Sequence, residues 1–252
     1  MQTALIALAA YLLGSISFAI VVSKVMRLPD PRSYGSKNPG ATNVLRSGSR
    51  IAAALTLAGD AGKGWLAVWL AALYTGEAPA AGLDAALAGL CAFVGHLFPV
   101  YYRFRGGKGV ATAAGVLIGL DPWLGLACLL TFGVIVAFFR MVSLASIIAA
   151  LFAGSYAFWL FGARPITAAV AIMALLLIVR HHANISRIVR AADVAFSLMM
   201  IGIGLVIADA HTGWAALFVS FGLGAALAFL VIEPATARAA FGTQIRNQRS
   251  EI

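Results

Sequence analysis

Apolar runs of about twenty residues recur along this chain, the length an α-helix needs to cross the hydrocarbon layer of a bilayer. Short polar stretches rich in glycine, serine, lysine and arginine separate them. The pattern predicts crossings near 4–23, 51–73, 82–101, 110–120, 123–139, 142–161, 165–180, 194–209 and 213–232. No stretch reads as a separate soluble domain. The run 110–120 is short, about 16 Å at 1.5 Å per residue, roughly half the hydrocarbon thickness. Pro122 separates it from the next run, so the two are read as separate crossings. A short helix that starts at a glycine-rich loop suits a site sunk into the membrane, because irregular backbone at that depth is tolerated where protein or water covers it.

Composition strengthens this reading. Of the 252 residues, 62% are hydrophobic and 11% charged. Soluble domains carry about 25% charged residues. The formal charge of +9 would suit nucleic acid, but its distribution argues against that partner. With the N-terminus outside, all but Lys63 and Arg164 of the 18 lysines and arginines fall in the inside segments 24–50, 102–109, 140–141, 181–193 and the tail after 232, counting Arg180 at its helix end. That is the positive-inside rule, and it places the polar loops on the cytoplasmic face. Met1-Gln2-Thr3 lacks a positively charged leader, so 4–23 is read as a retained helix. Cys91 and Cys128 lie in apolar runs and are read as packing residues, with no disulfide and no metal site.

The chemistry gathers on the inside face. The first inside loop runs Tyr34-Gly35-Ser36-Lys37-Asn38-Pro39-Gly40-Ala41-Thr42-Asn43-Val44-Leu45-Arg46. Successive backbone N–H groups with serine and threonine hydroxyls form an anion-binding concavity, and Arg46 can add a bidentate fork. An ordinary polar turn carrying positive-inside charge is the alternative. A second loop, Gly106-Gly107-Lys108-Gly109, opens the short helix and faces its free N–H groups to the cytoplasm, a geometry suited to phosphate. It is not a Walker A loop, since Gly109 follows Lys108 where serine or threonine is required. Asp60 and Lys63 share one helix face inside a span. They mark either a functional site or a self-neutralising pair that fixes packing. His181, one residue beyond the seventh run, is a candidate general base on the same face. Two phosphate-bearing ligands, or one large one, would account for this many donors.

In this order and spacing the segments resemble the bacterial acyl-phosphate:glycerol-3-phosphate acyltransferase family, of the PlsY type. The family's Gly-Ser-Ile-Pro-Phe is matched by Gly14-Ser15-Ile16-Ser17-Phe18. Its Gly-Ser-x-Asn-x-Gly-Ala-Thr-Asn-x-x-Arg is matched by Gly35, Ser36, Asn38, Gly40, Ala41, Thr42, Asn43 and Arg46. Asp60, Lys63 and Gly64 meet its Asp-x-x-Lys-Gly. Gly95 through Thr112, including His96, Gly106, Gly107, Lys108 and Gly109, meet its Gly-His-x-Phe-Pro…Gly-Gly-Lys-Gly-Val-Ala-Thr run. His181, Asn184 and Ile185 meet its His-x-x-Asn-Ile. The resemblance covers residues 10–190.

It implies an all-α polytopic membrane protein with a seven-helix acyltransferase core, here over 1–190; typical members end shortly after the His-x-x-Asn segment, so the two further apolar runs are read as a two-helix C-terminal extension over 191–252. It implies transfer of a fatty acyl group from acyl phosphate to the sn-1 hydroxyl of glycerol 3-phosphate at the cytoplasmic face of the bacterial inner membrane, with membrane lipids as surroundings and no cofactor. Ser36, Arg46, Lys108, His181 and Asn184 would hold glycerol 3-phosphate. Gly40 to Asn43, Lys63, Gly106 and Gly107 would cradle the acyl-phosphate head. Asn38, Asp60, His96, Gly109 and Thr112 complete the implied substrate-binding set. His181 is the first candidate to activate the attacking hydroxyl, and a substrate phosphate is the second. The acyl-CoA acyltransferase signature, an aspartate five positions after a histidine, does not occur. Ser17 and Ala183 stand where the family often has Pro and Glu. The main rival is a transporter for an organic phosphate, which predicts charges along a midplane path and repeat symmetry. A phosphatidyltransferase would need several aspartates along one helix, and the nine acidic residues are scattered.

Overall fold

The computed structural model describes residues 1–186. The expected crossings 194–209 and 213–232, and the basic tail, lie outside those residues. Met1–His182 forms one compact unit, and a second begins at Ala183. Among the described residues every regular element is helical.

The first expected crossing, 4–23, is not one helix. It is a broken pair, α1 (Gln2–Gly14) and α2 (Phe18–Val25), bent by 41°. The break falls on Ser15-Ile16-Ser17 and frees backbone groups that hydrocarbon cannot satisfy. Two side chains of the next long helix answer them. Lys63 Nζ donates to the Ile16 carbonyl at 2.6 Å, and the Phe18 N–H donates to Asp60 Oδ1 at 3.4 Å. Ser15 turns its own hydroxyl back onto the Tyr11 carbonyl at 2.8 Å.

After the break come a short helix α3 (Ala41–Val44) and a 3-10 turn over Leu45–Ser47. The long helix α4 (Arg50–Thr75) starts at Ser49, whose hydroxyl accepts from the Ala52 N–H, and stops at Gly76 in the left-handed region. Helix α5 (Leu83–Leu97) leads into a 3-10 turn over Val100–Tyr102. Helix α6 (Val110–Leu120) has 11 residues. Asp121 then caps α7 (Pro122–Phe139), accepting from the Leu124 N–H at 2.7 Å with Pro122 at the first helical position. The short run and its successor are therefore two helices. Helices α8 (Val142–Phe161) and α9 (Pro165–Arg180) follow.

Among the described residues, three helices are long and apolar enough to cross a membrane, counting α5 with its 3-10 turn, and four when the bent pair counts as one. Helices α6 and α9 are apolar but shorter. Helix α4 is long enough at 26 residues, but Asp60 and Lys63 interrupt its hydropathy.

Small residues set the packing, as they do where lipid offers no hydrophobic drive between helices. A Cβ at Gly14 would strike the Ala92 carbonyl, and one at Gly95 the Tyr11 carbonyl, so α1 and α5 meet backbone to backbone. Gly64 against the Thr112 carbonyl and Gly115 against the Ala61 carbonyl do the same for α4 and α6. The larger core side chains lie beyond these contacts: Phe93, Leu97, Val116, Leu124, Ile166 and Val170 are all buried. Trp65 and Trp69 stack at 5.8 Å and remain partly exposed on α4.

Candidate active site

The first glycine-bearing loop is shaped by one buried side chain. Asn43 is 2% exposed. Its Nδ2 donates to the carbonyls of Pro31 at 2.6 Å and Tyr34 at 3.2 Å. Its Oδ1 accepts from the Ser36 N–H at 2.9 Å and from Arg46 Nη1 at 3.3 Å. Asn43 thus draws residues 31–36 and Arg46 together, while Ser36, Lys37, Thr42 and Arg46 stay exposed. Gly35 has φ +58 and lies against Asn43 Oδ1, where a Cβ would not fit. Gly40 is extended and precedes α3. Asp30 and Arg32 close the near end of the loop with a 2.6 Å ion pair. The hydrogen bonds from Arg32 hold the Asp30 carboxyl below the usual carboxylate range. The Arg32 guanidinium also sits 5.8 Å from the Tyr102 ring centre, beside the second loop.

Beneath both loops lies a buried polar group inside the helices. Lys63 is 3% exposed and His96 6%. Lys63 Nζ meets Asp60 Oδ1 at 2.8 Å, His96 Nδ1 at 3.0 Å and the Ile16 carbonyl at 2.6 Å. An ammonium has three donors, and these three partners engage them all. The cation that the resemblance assigns to the acyl-phosphate head is thus committed here to the helix break and to His96. With Nδ1 accepting from Lys63, His96 carries its proton on Nε2, directed at Gly107, where a Cβ would strike it.

The second loop is locked through its backbone. Gly106 has no room for a Cβ between the His96 carbonyl, Pro99 and the Leu97 carbonyl. The Gly107 N–H donates to the His96 carbonyl at 3.1 Å, and the Pro39 carbonyl of the first loop lies 3.0 Å from where a Gly107 Cβ would sit. Gly109 has φ +85 and abuts Phe93 and Leu97. The glycines of this loop are therefore required by close approach. Arg180, at the end of α9, closes the loop from within: its Nη2 donates to the carbonyls of Leu97, Gly106 and Gly107, each at 3.1 Å. Its Nε reaches the Gly107 carbonyl at 3.3 Å, and Phe98 stacks 5.3 Å from the guanidinium.

His181 follows directly and is 2% exposed. Its Nδ1 lies 2.8 Å from the Leu177 carbonyl, which can only accept, so the proton is on Nδ1 and Nε2 carries the lone pair. Burial lowers its pKa below the ordinary imidazole value of 6.5, and the nearby Lys108 ammonium adds to that, against the opposing Leu177 hydrogen bond.

The structure thus places His181 within reach of the Lys108 charge, Pro39 beside Gly107, and Asp60, Lys63 and His96 in one cluster. Thr112 is buried with its carbonyl against Gly64, so it lies in the α4–α6 contact. Asn184 falls in a helical turn over 182–186 and in the second unit. Sequence reasoning counted Arg180 only as a positive-inside charge. Its position beside His181 was the one available signal for a second task.

Residues 4–191 match the family model described as glycerol-3-phosphate acyltransferase. A glycerol-3-phosphate acyltransferase of Ralstonia nicotianae is 57% identical over 191 residues, 76% of this chain and 92% of the relative. One of Cupriavidus necator is 57% identical over 196 residues, 77% of this chain and 96% of the relative. Crystal structures of PlsY (YgiH), an integral membrane glycerol 3-phosphate acyltransferase, match in their glycerol 3-phosphate and lysophosphatidic acid forms. Their TM-scores are 0.70 and 0.69 at 34% and 33% identity, covering 75% of this chain and 92% of theirs. A match over residues 4–191 and relatives 57% identical over most of their length show that the chain belongs to the glycerol-3-phosphate acyltransferase family.

Proposed function

We propose that this protein transfers a fatty acyl group from acyl phosphate to the sn-1 hydroxyl of glycerol 3-phosphate, releasing lysophosphatidic acid and inorganic phosphate. The observation that carries the reading is the buried His181, whose proton is held on Nδ1 so that Nε2 keeps its lone pair, within reach of the Lys108 charge on a glycine loop without room for side chains. The hydroxyl oxygen attacks the acyl carbonyl carbon, a C–O bond forms, and the bond from that carbon to the phosphate oxygen breaks. The hydroxyl proton passes to His181 Nε2, and the leaving group departs as phosphate. Lys108 and the loop N–H groups offset the negative charge that develops on the carbonyl oxygen and the departing phosphate.

Ser36, Arg46, Lys108 and His181 hold glycerol 3-phosphate in this reading. Gly40 to Thr42, Gly106 and Gly107 face the acyl-phosphate head, and the buried Asn43 shapes the first loop from beneath. Asp60, Lys63 and His96 act from below, by holding the helix break and the underside of Gly107. The distribution of basic residues supports a bacterial inner-membrane protein with its N-terminus outside, seven crossings in the core and the site on the cytoplasmic face.

The test is turnover by purified protein given palmitoyl phosphate and glycerol 3-phosphate, read as released phosphate and lysophosphatidic acid. Product with acyl-CoA or acyl carrier protein alone would reassign the donor. No product with any of the three would remove the enzyme reading.

A further inference from the structure

We infer that Arg180 is a positioning residue for the acyl transfer, setting the Gly106–Lys108 backbone and His181 against each other from the side that substrate does not reach. The inference rests on the proposed function and adds to it a residue that touches no substrate.

An arginine at the cytoplasmic end of an apolar helix ordinarily lays its stem along the helix and puts its charge in water. Arg180 instead turns back onto the protein. Three carbonyl oxygens, those of Leu97, Gly106 and Gly107, converge on Nη2 at 3.1 Å, and the Gly107 oxygen is shared with Nε at 3.3 Å. Carbonyls so gathered repel one another unless a cation sits among them. The guanidinium also lies over the Phe98 ring, 5.3 Å from its centre.

The consequence for the loop follows from peptide geometry. The C=O and N–H of one peptide unit point in opposite directions. Drawing the Gly107 carbonyl towards Arg180 aims the Lys108 N–H the other way, and drawing in the Gly106 carbonyl fits the donation from the Gly107 N–H to the His96 carbonyl at 3.1 Å. Arg180 is also joined through one peptide bond to His181, whose ring is pinned to the Leu177 carbonyl one turn back. One guanidinium therefore fixes both Lys108, through the loop, and His181, through the helix end. The loop and α9 are otherwise more than 70 residues apart in sequence.

The experiment compares full-length Arg180→Ala and Arg180→Lys with wild type in detergent, by kcat/KM for glycerol 3-phosphate and by thermal unfolding. A misplacement of the two groups by about 1 Å costs on the order of 100-fold in turnover, which is the loss expected for Arg180→Ala. Millimolar methylguanidinium is expected to restore part of that activity by entering the vacated carbonyl pocket, a response that general loosening of the fold would not give. In Arg180→Lys the nitrogen falls one bond short of Nη2, and a loss of about tenfold is expected.

A folded Arg180→Ala protein within about threefold of wild type, or one whose loss methylguanidinium leaves unchanged, overturns the inference. If Arg180→Ala does not fold, Arg180→Lys decides, and full retained kcat/KM overturns it. Wild-type protein that makes no lysophosphatidic acid would instead remove the proposed function, and this inference with it.

Discussion

The two glycine-bearing loops have similar compositions and are built by opposite means. Residues 34–46 hang on a side chain: Asn43 makes four hydrogen bonds that tie Pro31, Tyr34, Ser36 and Arg46 to one buried amide. Residues 103–109 hang on backbone: Gly106 and Gly107 are wedged between the His96 main chain and ring, Pro39 and Pro99, with Arg180 on their carbonyls. A glycine therefore means different things in the two places. In the first loop Gly35 is fixed by its positive φ and by Asn43, but an added Cβ at Gly40 would meet only the end of one side chain, Asn38 Nδ2 at 3.2 Å, tight but able to shift, whereas at Gly106, Gly107 and Gly109 an added Cβ meets the framework.

The comparison can be broken at four points. The largest effect belongs to His181, beside the second loop. His181→Gln should lower kcat by about 10²–10⁴-fold, the usual contribution of a positioned base. Because burial lowers the His181 pKa, the neutral form persists as pH falls past 6.5, and activity should fail only below that value. An acid limb above it in the pH profile of kcat/KM would count against His181 as the base.

Next is the Asp60–Lys63–His96 cluster, which holds the helix break and the underside of the second loop. Lys63→Met leaves the Asp60 carboxylate buried without its cation and the Ile16 carbonyl without a donor. Thermal unfolding in detergent should show a loss of about 3–5 kcal/mol, which Asp60→Asn added to it should partly restore. An unchanged midpoint would mean the helix break holds itself.

The third and fourth are the glycine pair. Gly107→Ala should destabilise by about 1–3 kcal/mol as the loop is pushed off His96, with lost turnover. Gly40→Ala should stay within about 0.5 kcal/mol and keep most activity. Equal tolerance at both positions, measured in the same assay, would erase the distinction between the loops.

Most helix limits could be read from the sequence because local residues set them. Gly109, Pro122, Gly162 and Pro165 punctuate the apolar runs, and the expected bounds 110–120, 142–161 and 165–180 coincide with α6, α8 and α9. The break at Ser15–Ser17 was not legible, since the apolar run continues through it and Ser17 gives no proline signal. The side chains that satisfy its freed backbone groups lie 42 and 47 residues away, in Asp60 and Lys63. The same holds for the site. Phosphate-compatible loops showed as composition, and Asp60 with Lys63 showed as charge in an apolar run. That Lys63 turns to Ile16 and His96, or that Arg180 turns back onto three carbonyls, depends on contacts between segments distant in sequence.

The 11 residues of α6 have a further consequence. At about 16 Å the helix cannot connect both faces of a hydrocarbon layer about 30 Å thick, and with its Asp121 end at the opposite interface the loop at its start would lie well below the headgroup plane. Drawing a sixteen-carbon chain out into water would cost about 0.8 kcal/mol for each methylene, more than 10 kcal/mol in all. A reaction centre at that depth meets the chain where it already dissolves. The insoluble partner need not move towards the aqueous one, and it is the small, charged, freely diffusing molecule that makes the descent.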